Sequence, residues 1–179
     1  MEKKEGKQKN IYLIGFMGCG KSTVSNYLHE EYKRKQIEMD EEIQREEGMS
    51  ISQIFEQKGE AYFRALETKL LHRLREEENY VVSCGGGVPM REENVKEMKK
   101  NGKVILLLAK PETIYERVKD CHDRPLLEGN MNVEYIKGLM EQRNEKYQAA
   151  ADVCVYTDER EISEICREIM EYVSGTGNR

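Results

Sequence analysis

The chain has 179 residues, the size of one compact domain, and leaves no comfortable room for two. Its 29 Lys and Arg against 34 Asp and Glu give a net charge of −5, and no long basic stripe exists to neutralise a phosphate backbone, so no nucleic-acid partner is expected. No apolar run is long enough to span a bilayer, and the opening MEKKEGKQK leads into no signal-like segment, so the expectation is an unexported, cytoplasmic protein without membrane contact.

Charged residues make up 35% of the chain, so the placement of the apolar ones decides whether it folds. They fall in dense runs, and the first, within Asn10 to Gly15, predicts a strand. A glycine-rich turn follows, then a helix whose apolar positions Val24, Leu28 and Tyr32 recur every four residues. A short strand is expected near Gln36 to Met39, with Glu38-Met39-Asp40 at its end. From Met49 to Glu78 the pattern predicts helices only, starting near Ser50 and breaking around Gly59. Strands at Tyr80 to Cys84, Lys103 to Ala109 and Asp152 to Thr157 complete the set. Pro111 suits the first turn of the helix after the fourth strand, with Glu112 favouring its N-terminus. Asp120 to Asn132 carries Pro125 and Gly129, shows no period and reads as a long loop of the kind that serves as a lid or binding element. The two ends, Met1 to Lys9 and Ser174 to Arg179, are expected to fray. Strands alternating with helices imply parallel crossovers, hence an α/β fold with a sheet covered on both faces.

Five cysteines (Cys19, Cys84, Cys121, Cys154, Cys166) are an odd number with no CxxC pair, which fits reduced thiols rather than a disulfide framework or a structural zinc site. The string Asp120-Cys121-His122-Asp123 reads as solvated loop, because adjacent ligands rarely converge on one ion.

Gly15-Phe16-Met17-Gly18-Cys19-Gly20-Lys21-Ser22 matches G-x-x-x-x-G-K-[ST]. It follows a strand and opens a helix, which is the context its chemistry needs: backbone N–H groups curl around phosphate oxygens at the positive end of a helix dipole. Gly18, Cys19, Gly20, Lys21, Ser22 and Thr23 are therefore candidate nucleotide-binding residues. Lys21 reaches the β- and γ-phosphates of ATP, and the Ser22 hydroxyl is the candidate Mg²⁺ ligand. The D-x-x-G and N-K-x-D strings of switch GTPases are missing and the chain is short for a motor, which leaves a small-molecule kinase. Such a kinase needs an acceptor site, and polar groups stand where strand ends could supply one: Glu38 and Asp40, Arg64 with Glu67 on a helix, and Gly85-Gly86-Gly87 directly after the third strand. Three consecutive glycines cost backbone entropy, and close approach of backbone to a ligand accounts for them.

With these residues in view the chain resembles the shikimate kinase family from about Asn10 to Val173, in the order and spacing of GFMGCGKST, the acidic pair, SISQIFEQKGEAYFRALE, SCGGGV, RPLL and an Arg-x-x-x-Tyr. The resemblance implies a three-layer α/β/α P-loop nucleoside-monophosphate-kinase-like fold with a five-stranded parallel sheet and a mobile lid. It implies one domain over 1–179, with a shikimate-binding helical region at about 40–78 and the lid at about 119–132. The implied activity is Mg²⁺-dependent transfer of the γ-phosphoryl group of ATP to the 3-hydroxyl of shikimate, by a monomer. Carried over by position, Asp40 binds the shikimate hydroxyls, Arg64 and Arg143 its carboxylate, and Gly85, Gly86 and Gly87 support the ring. Arg124 comes from the lid onto the ATP phosphates and Arg160 lies by the adenine, so that Lys21, Asp40 and Arg124 form the catalytic set. The family pattern has Asp at both ends of its D-x-D, whereas this chain has Glu38 at the first, one methylene longer with the charge kept. Two other readings stay open on sequence: a kinase for another hydroxy acid such as gluconate, and a non-catalytic nucleotide-binding regulator.

Overall fold

The structure is a computed structural model that describes residues 8–119 and 132–176. The segment expected to form a lid, with Arg124 and the Asp120-Cys121-His122-Asp123 string, lies outside the described residues, apart from its flanks at Lys119 and Asn132. Five strands, β1 (Asn10–Ile14), β2 (Lys35–Glu38), β3 (Tyr80–Ser83), β4 (Gly102–Leu108) and β5 (Val153–Tyr156), form one sheet in the order β2-β3-β1-β4-β5, with every pairing parallel. Each expected strand exists within one or two residues of its predicted bounds. Ile11 stands opposite Val81 on one side and Lys103 on the other, placing β1 at the centre, where all five of its residues are buried.

Among the described residues, eight helices surround the sheet: α1 (Lys21–Tyr32), α2 (Met39–Glu47), α3 (Ile51–Lys58), α4 (Glu60–Leu74), α5 (Glu92–Asn101), α6 (Pro111–Val118), α7 (Val133–Ala150) and α8 (Ile162–Ser174), with a 3₁₀ turn at Val88–Met90. Right-handed crossovers decide their sides. The step from β1 out to β2 puts α1 on one face, where it packs with α8, and the return steps put α4, α5 and α7 on the other. Because the chain leaves β1 in one direction first and in the other later, the crevice beside β1 at the carboxyl ends of the strands is where a ligand fits.

Local chemistry explains most boundaries. The Ser50 hydroxyl accepts a hydrogen bond from Gln53 N–H (3.2 Å) while Gln53 Oε1 accepts one from Ser50 N–H (2.9 Å), a capping box that starts α3 where expected. Three expectations need correction. Asp40 is in the first turn of α2 rather than on a strand end, because β2 stops at Glu38 and the apolar pair Met39 and Ile43 begins a buried helical face. Tyr32 is 37% exposed although Val24 and Leu28 are buried, and α1 ends at this residue, with Lys33 as its left-handed cap. Gln8 and Lys9 are held, not frayed: Asn79 N–H donates to Gln8 O (2.9 Å) and Arg34 Nη1 to Lys9 O (2.7 Å).

The buried Asn10 side chain joins layers, donating to Glu77 O (3.0 Å) past the end of α4 and accepting from Tyr80 N–H (2.9 Å) at the start of β3. Next to it the β1 and β4 backbones approach closely at Gly102. A Cβ there would lie 2.7 Å from Asn10 O and 2.5 Å from the Tyr12 ring. Gly102→Ala is therefore expected to destabilise the protein by about 1–3 kcal/mol, read as a lower denaturant midpoint. An unchanged midpoint would show that the sheet centre is less tightly packed than these distances imply.

Candidate active site

The loop from β1 into α1 sets one end of the site. Gly15 has φ +145°, and a Cβ on it would meet Leu107 O at 2.6 Å, so only glycine lets the loop lie against β4. Gly20 is the N-cap of α1 at φ +103°, and no side chain caps the first turn, leaving its N–H groups to face the cleft. Lys21 Nζ donates to Gly15 O (2.8 Å) and Phe16 O (3.2 Å), which holds its charge within the loop. Ser22 Oγ donates to Glu38 Oε2 (3.0 Å) at the end of β2.

The other end forms where α2, α4, α7 and the turn after β3 converge. A Cβ on Gly85 would sit 2.8 Å from Asp40 Oδ1 and 3.1 Å from Glu67 Oε1, so two carboxylates lie against this backbone. A Cβ on Gly86 would be 3.0 Å from Arg143 Nη1, and Tyr147, one turn further along α7, donates to Gly86 O (2.9 Å). A Cβ on Gly87 would overlap the Arg64 guanidinium outright. The three glycines thus admit Arg64, Arg143 and Asp40 to one small volume, which is the physical content of the glycine run.

Arg64 is fixed by Glu67, whose two carboxylate oxygens take Nη1 at 3.0 and 2.9 Å, and by Glu60, which takes Nε (3.3 Å) and Nη2 (3.2 Å). Burial works against the Arg64 charge, but the bonds to Glu67 and Glu60 outweigh it and raise its pKa. Glu67 is fully buried, and burial pushes its carboxyl up to about 7, with nearby Asp40 acting in the same sense against the opposing pull of Arg64 and Arg91.

One open cleft of about 1450 Å³ contains both ends. Gly18, Cys19, Gly20, Lys21, Ser22 and Thr23 line it from the phosphate loop, and Asp40, Arg64, the three glycines and Arg143 from the far side. Arg160 also lines it, donating from Nη1 to Tyr156 O (3.1 Å) and pairing through Nη2 with Glu168 (2.8 Å). Glu38 and Glu67, expected among the polar groups of the acceptor site, line the cleft, and so do Arg117 and Thr157, which sequence reasoning missed. Arg117 on α6 donates to Gly18 O (3.0 Å). The i, i+3 spacing of Arg64 and Glu67 was the available signal for that pair. Arg117 had none, because its approach to the loop depends on how α6 packs.

The sequence profile of the shikimate kinase family matches residues 17–174. The chain belongs to this family. It is 44% identical over 162 residues to the shikimate kinase of Persephonella marina, covering 90% of this chain and 97% of that one. Among solved structures it is similar to the shikimate kinase from Acinetobacter baumannii in complex with shikimate, with a TM-score of 0.86 at 30% identity and 96% of each chain covered. It is also similar to the shikimate kinase from Aquifex aeolicus, with a TM-score of 0.78 at 43% identity over 93% of this chain and 97% of that one. Family membership agrees with the architecture, a five-stranded parallel sheet of the P-loop kinase type.

The state of Glu67 has a measurable consequence. Its folded pKa of about 7 lies above that of an unfolded glutamate, so the folded state binds the proton more tightly and this group's contribution to stability falls as pH rises from about 4.5 to about 7. Glu67→Gln removes that titration. Its stability relative to the parent is therefore expected to improve by on the order of 2–3 kcal/mol between pH 5 and pH 8 in denaturant titrations. Parallel profiles for the two proteins would place the Glu67 pKa in the ordinary range.

Proposed function

We propose that the protein transfers the γ-phosphoryl group of ATP to the 3-hydroxyl of shikimate. The observation that carries this reading is the convergence of Arg64 and Arg143, from two different helices, on the Gly85–Gly87 turn at one end of a cleft whose other end is the phosphate loop. A ring carboxylate held between two guanidinium groups is fixed in one orientation, which sets the far side of the ring toward the phosphates. Asp40, beside Gly85, accepts hydrogen bonds from the ring hydroxyls and takes the proton of the attacking 3-hydroxyl as the new O–P bond forms and the bond from phosphorus to the β,γ-bridging oxygen breaks.

Phosphoryl transfer asks chiefly for positioning and charge stabilisation. Lys21 exchanges its bonds to Gly15 O and Phe16 O for phosphate oxygens, and the first-turn N–H groups of α1 hold the β-phosphate. The oxygens of Ser22 and Glu38, 3.0 Å apart, are hard donors that fit Mg²⁺, and among the described residues no cluster of three or more His, Cys, Asp or Glu gathers for a metal held by protein alone. Bound there, Mg²⁺ would neutralise charge on the β- and γ-phosphates. Arg117 and Arg160 stand on the nucleotide side of the cleft, and Arg160 is assigned to the adenine. Arg124 is assigned to the ATP phosphates on the family resemblance alone.

Neither the gluconate kinase nor the regulator gains support from relatives that are shikimate kinases at 44% identity. A monomer suffices, because both ends of the cleft come from one chain. A cytoplasmic setting supplies ATP and keeps the Cys19 thiol of the phosphate loop reduced.

Arg64→Ala and Arg143→Ala should each weaken shikimate binding by about 2–5 kcal/mol while ATP binding changes little, measured by calorimetric titration of both ligands. Arg143→Ala is the cleaner variant, since Arg64→Ala also strips Glu67 of its partner. Lys21→Met should lower turnover by about 100-fold or more in a protein that still folds. Equal losses for ATP and shikimate, or a folded Lys21→Met with normal turnover, would overturn the assignment.

A further inference from the structure

The phosphate loop has a brace from far along the chain. Thr157, just past the end of β5 and 5% exposed, places its hydroxyl 3.1 Å from Cys19 O and 3.2 Å from Leu108 O. Its own backbone N–H already donates to Leu108 O at 2.8 Å. The single hydroxyl hydrogen is therefore best used on Cys19 O, across 138 positions of sequence.

That carbonyl matters because of what lies on the other side of its peptide. No peptide bond among the described residues is cis, so Gly20 N–H points opposite to Cys19 O. With Cys19 O drawn toward β4 and β5, Gly20 N–H is turned the other way, toward the cleft. Gly20 sits at φ +103°, and glycine tolerates either sign of φ, so the local backbone preference does little to stop this peptide from turning over. A bond on the carbonyl supplies the missing preference. Cys19 cannot supply it through its side chain, which is buried with Sγ against the Gly15 backbone.

We propose that Thr157 is a positioning residue for the phosphate loop, acting through the Cys19 carbonyl to hold Gly20 N–H toward the phosphate oxygens of the nucleotide. The proposal rests on the reading above that a nucleoside triphosphate occupies this loop. The same corner is tied down once more by Lys110 N–H, which donates to both carboxylate oxygens of Asp158 at 3.1 Å, so the brace stands on a fixed base.

Thr157→Val keeps the shape and the β-branch and removes the donor, whereas Thr157→Ser keeps the donor. Binding of ATP and shikimate is measured by calorimetry for both variants and the parent. Inorganic tripolyphosphate, as a competitor of ATP, probes the loop without the adenine. For Thr157→Val the dissociation constants of ATP and tripolyphosphate are expected to rise about tenfold, with shikimate changed less than about twofold. Thr157→Ser should stay within about threefold of the parent for all three ligands. A merely structural role would lower stability without separating the phosphate ligands from shikimate.

Unchanged ATP and tripolyphosphate binding in Thr157→Val, equal losses for shikimate, or a serine variant no better than valine would overturn the assignment while leaving the kinase reading intact. If the parent protein binds neither ATP nor tripolyphosphate, the nucleotide site itself is wrong and this proposal falls with it. Should Thr157→Val fail to fold, Thr157→Ala gives the same comparison.

Discussion

The parallel direction of all five strands is the constraint on which the rest depends. It forces every strand to end on the same edge of the sheet, so the turns after β1, β2, β3 and β5 open into one crevice. Residues as distant as Lys21, Asp40, Gly86 and Thr157 come together there for reasons of topology. The helices that cover the two faces then decide which charges reach the crevice: α1 brings its N-terminus, α4 brings Arg64 and α7 brings Arg143.

A chain of net charge −5 that binds a triphosphate and a carboxylate must gather its positive charge locally. It does so at a cost visible around Arg64. Arg64 is presented in a defined orientation only because Glu67 and Glu60 grip three of its nitrogens, and Glu67 is fully buried to do so. The desolvation of that carboxylate outweighs the attraction of its partners, which is why its pKa rises instead of falling. Stability is given up at this point for geometry, as is common where a ligand has to be held in one pose.

The sheet was legible from the chain because buried parallel strands write themselves as dense apolar runs between charged helices, and β1 and β4 are such runs. The phosphate loop and the glycine run were legible because each uses backbone conformations or approaches that only glycine permits. Periodicity said less about ends: it carried the buried face of α1 on to Tyr32, and it left Asp40 on a strand when Met39 had already started a helix. Thr157 and Arg117 could not have been singled out at all. Their roles depend on contacts 138 and 99 positions away, which no local pattern encodes. Glu67 lay between these cases, visible as a helical neighbour of Arg64 but not as a buried one.

The central claim is that one crevice aligns the terminal phosphate of ATP with a single hydroxyl of a carboxylate-anchored ring. Phosphorus NMR of the unmodified protein turning over ATP, Mg²⁺ and shikimate tests it directly, because it identifies the bond that forms. The account predicts loss of the γ-phosphate signal and growth of ADP together with one phosphate monoester, coupled to the ring proton at carbon 3. Release of inorganic phosphate alone, or a monoester on a different ring hydroxyl, would contradict it.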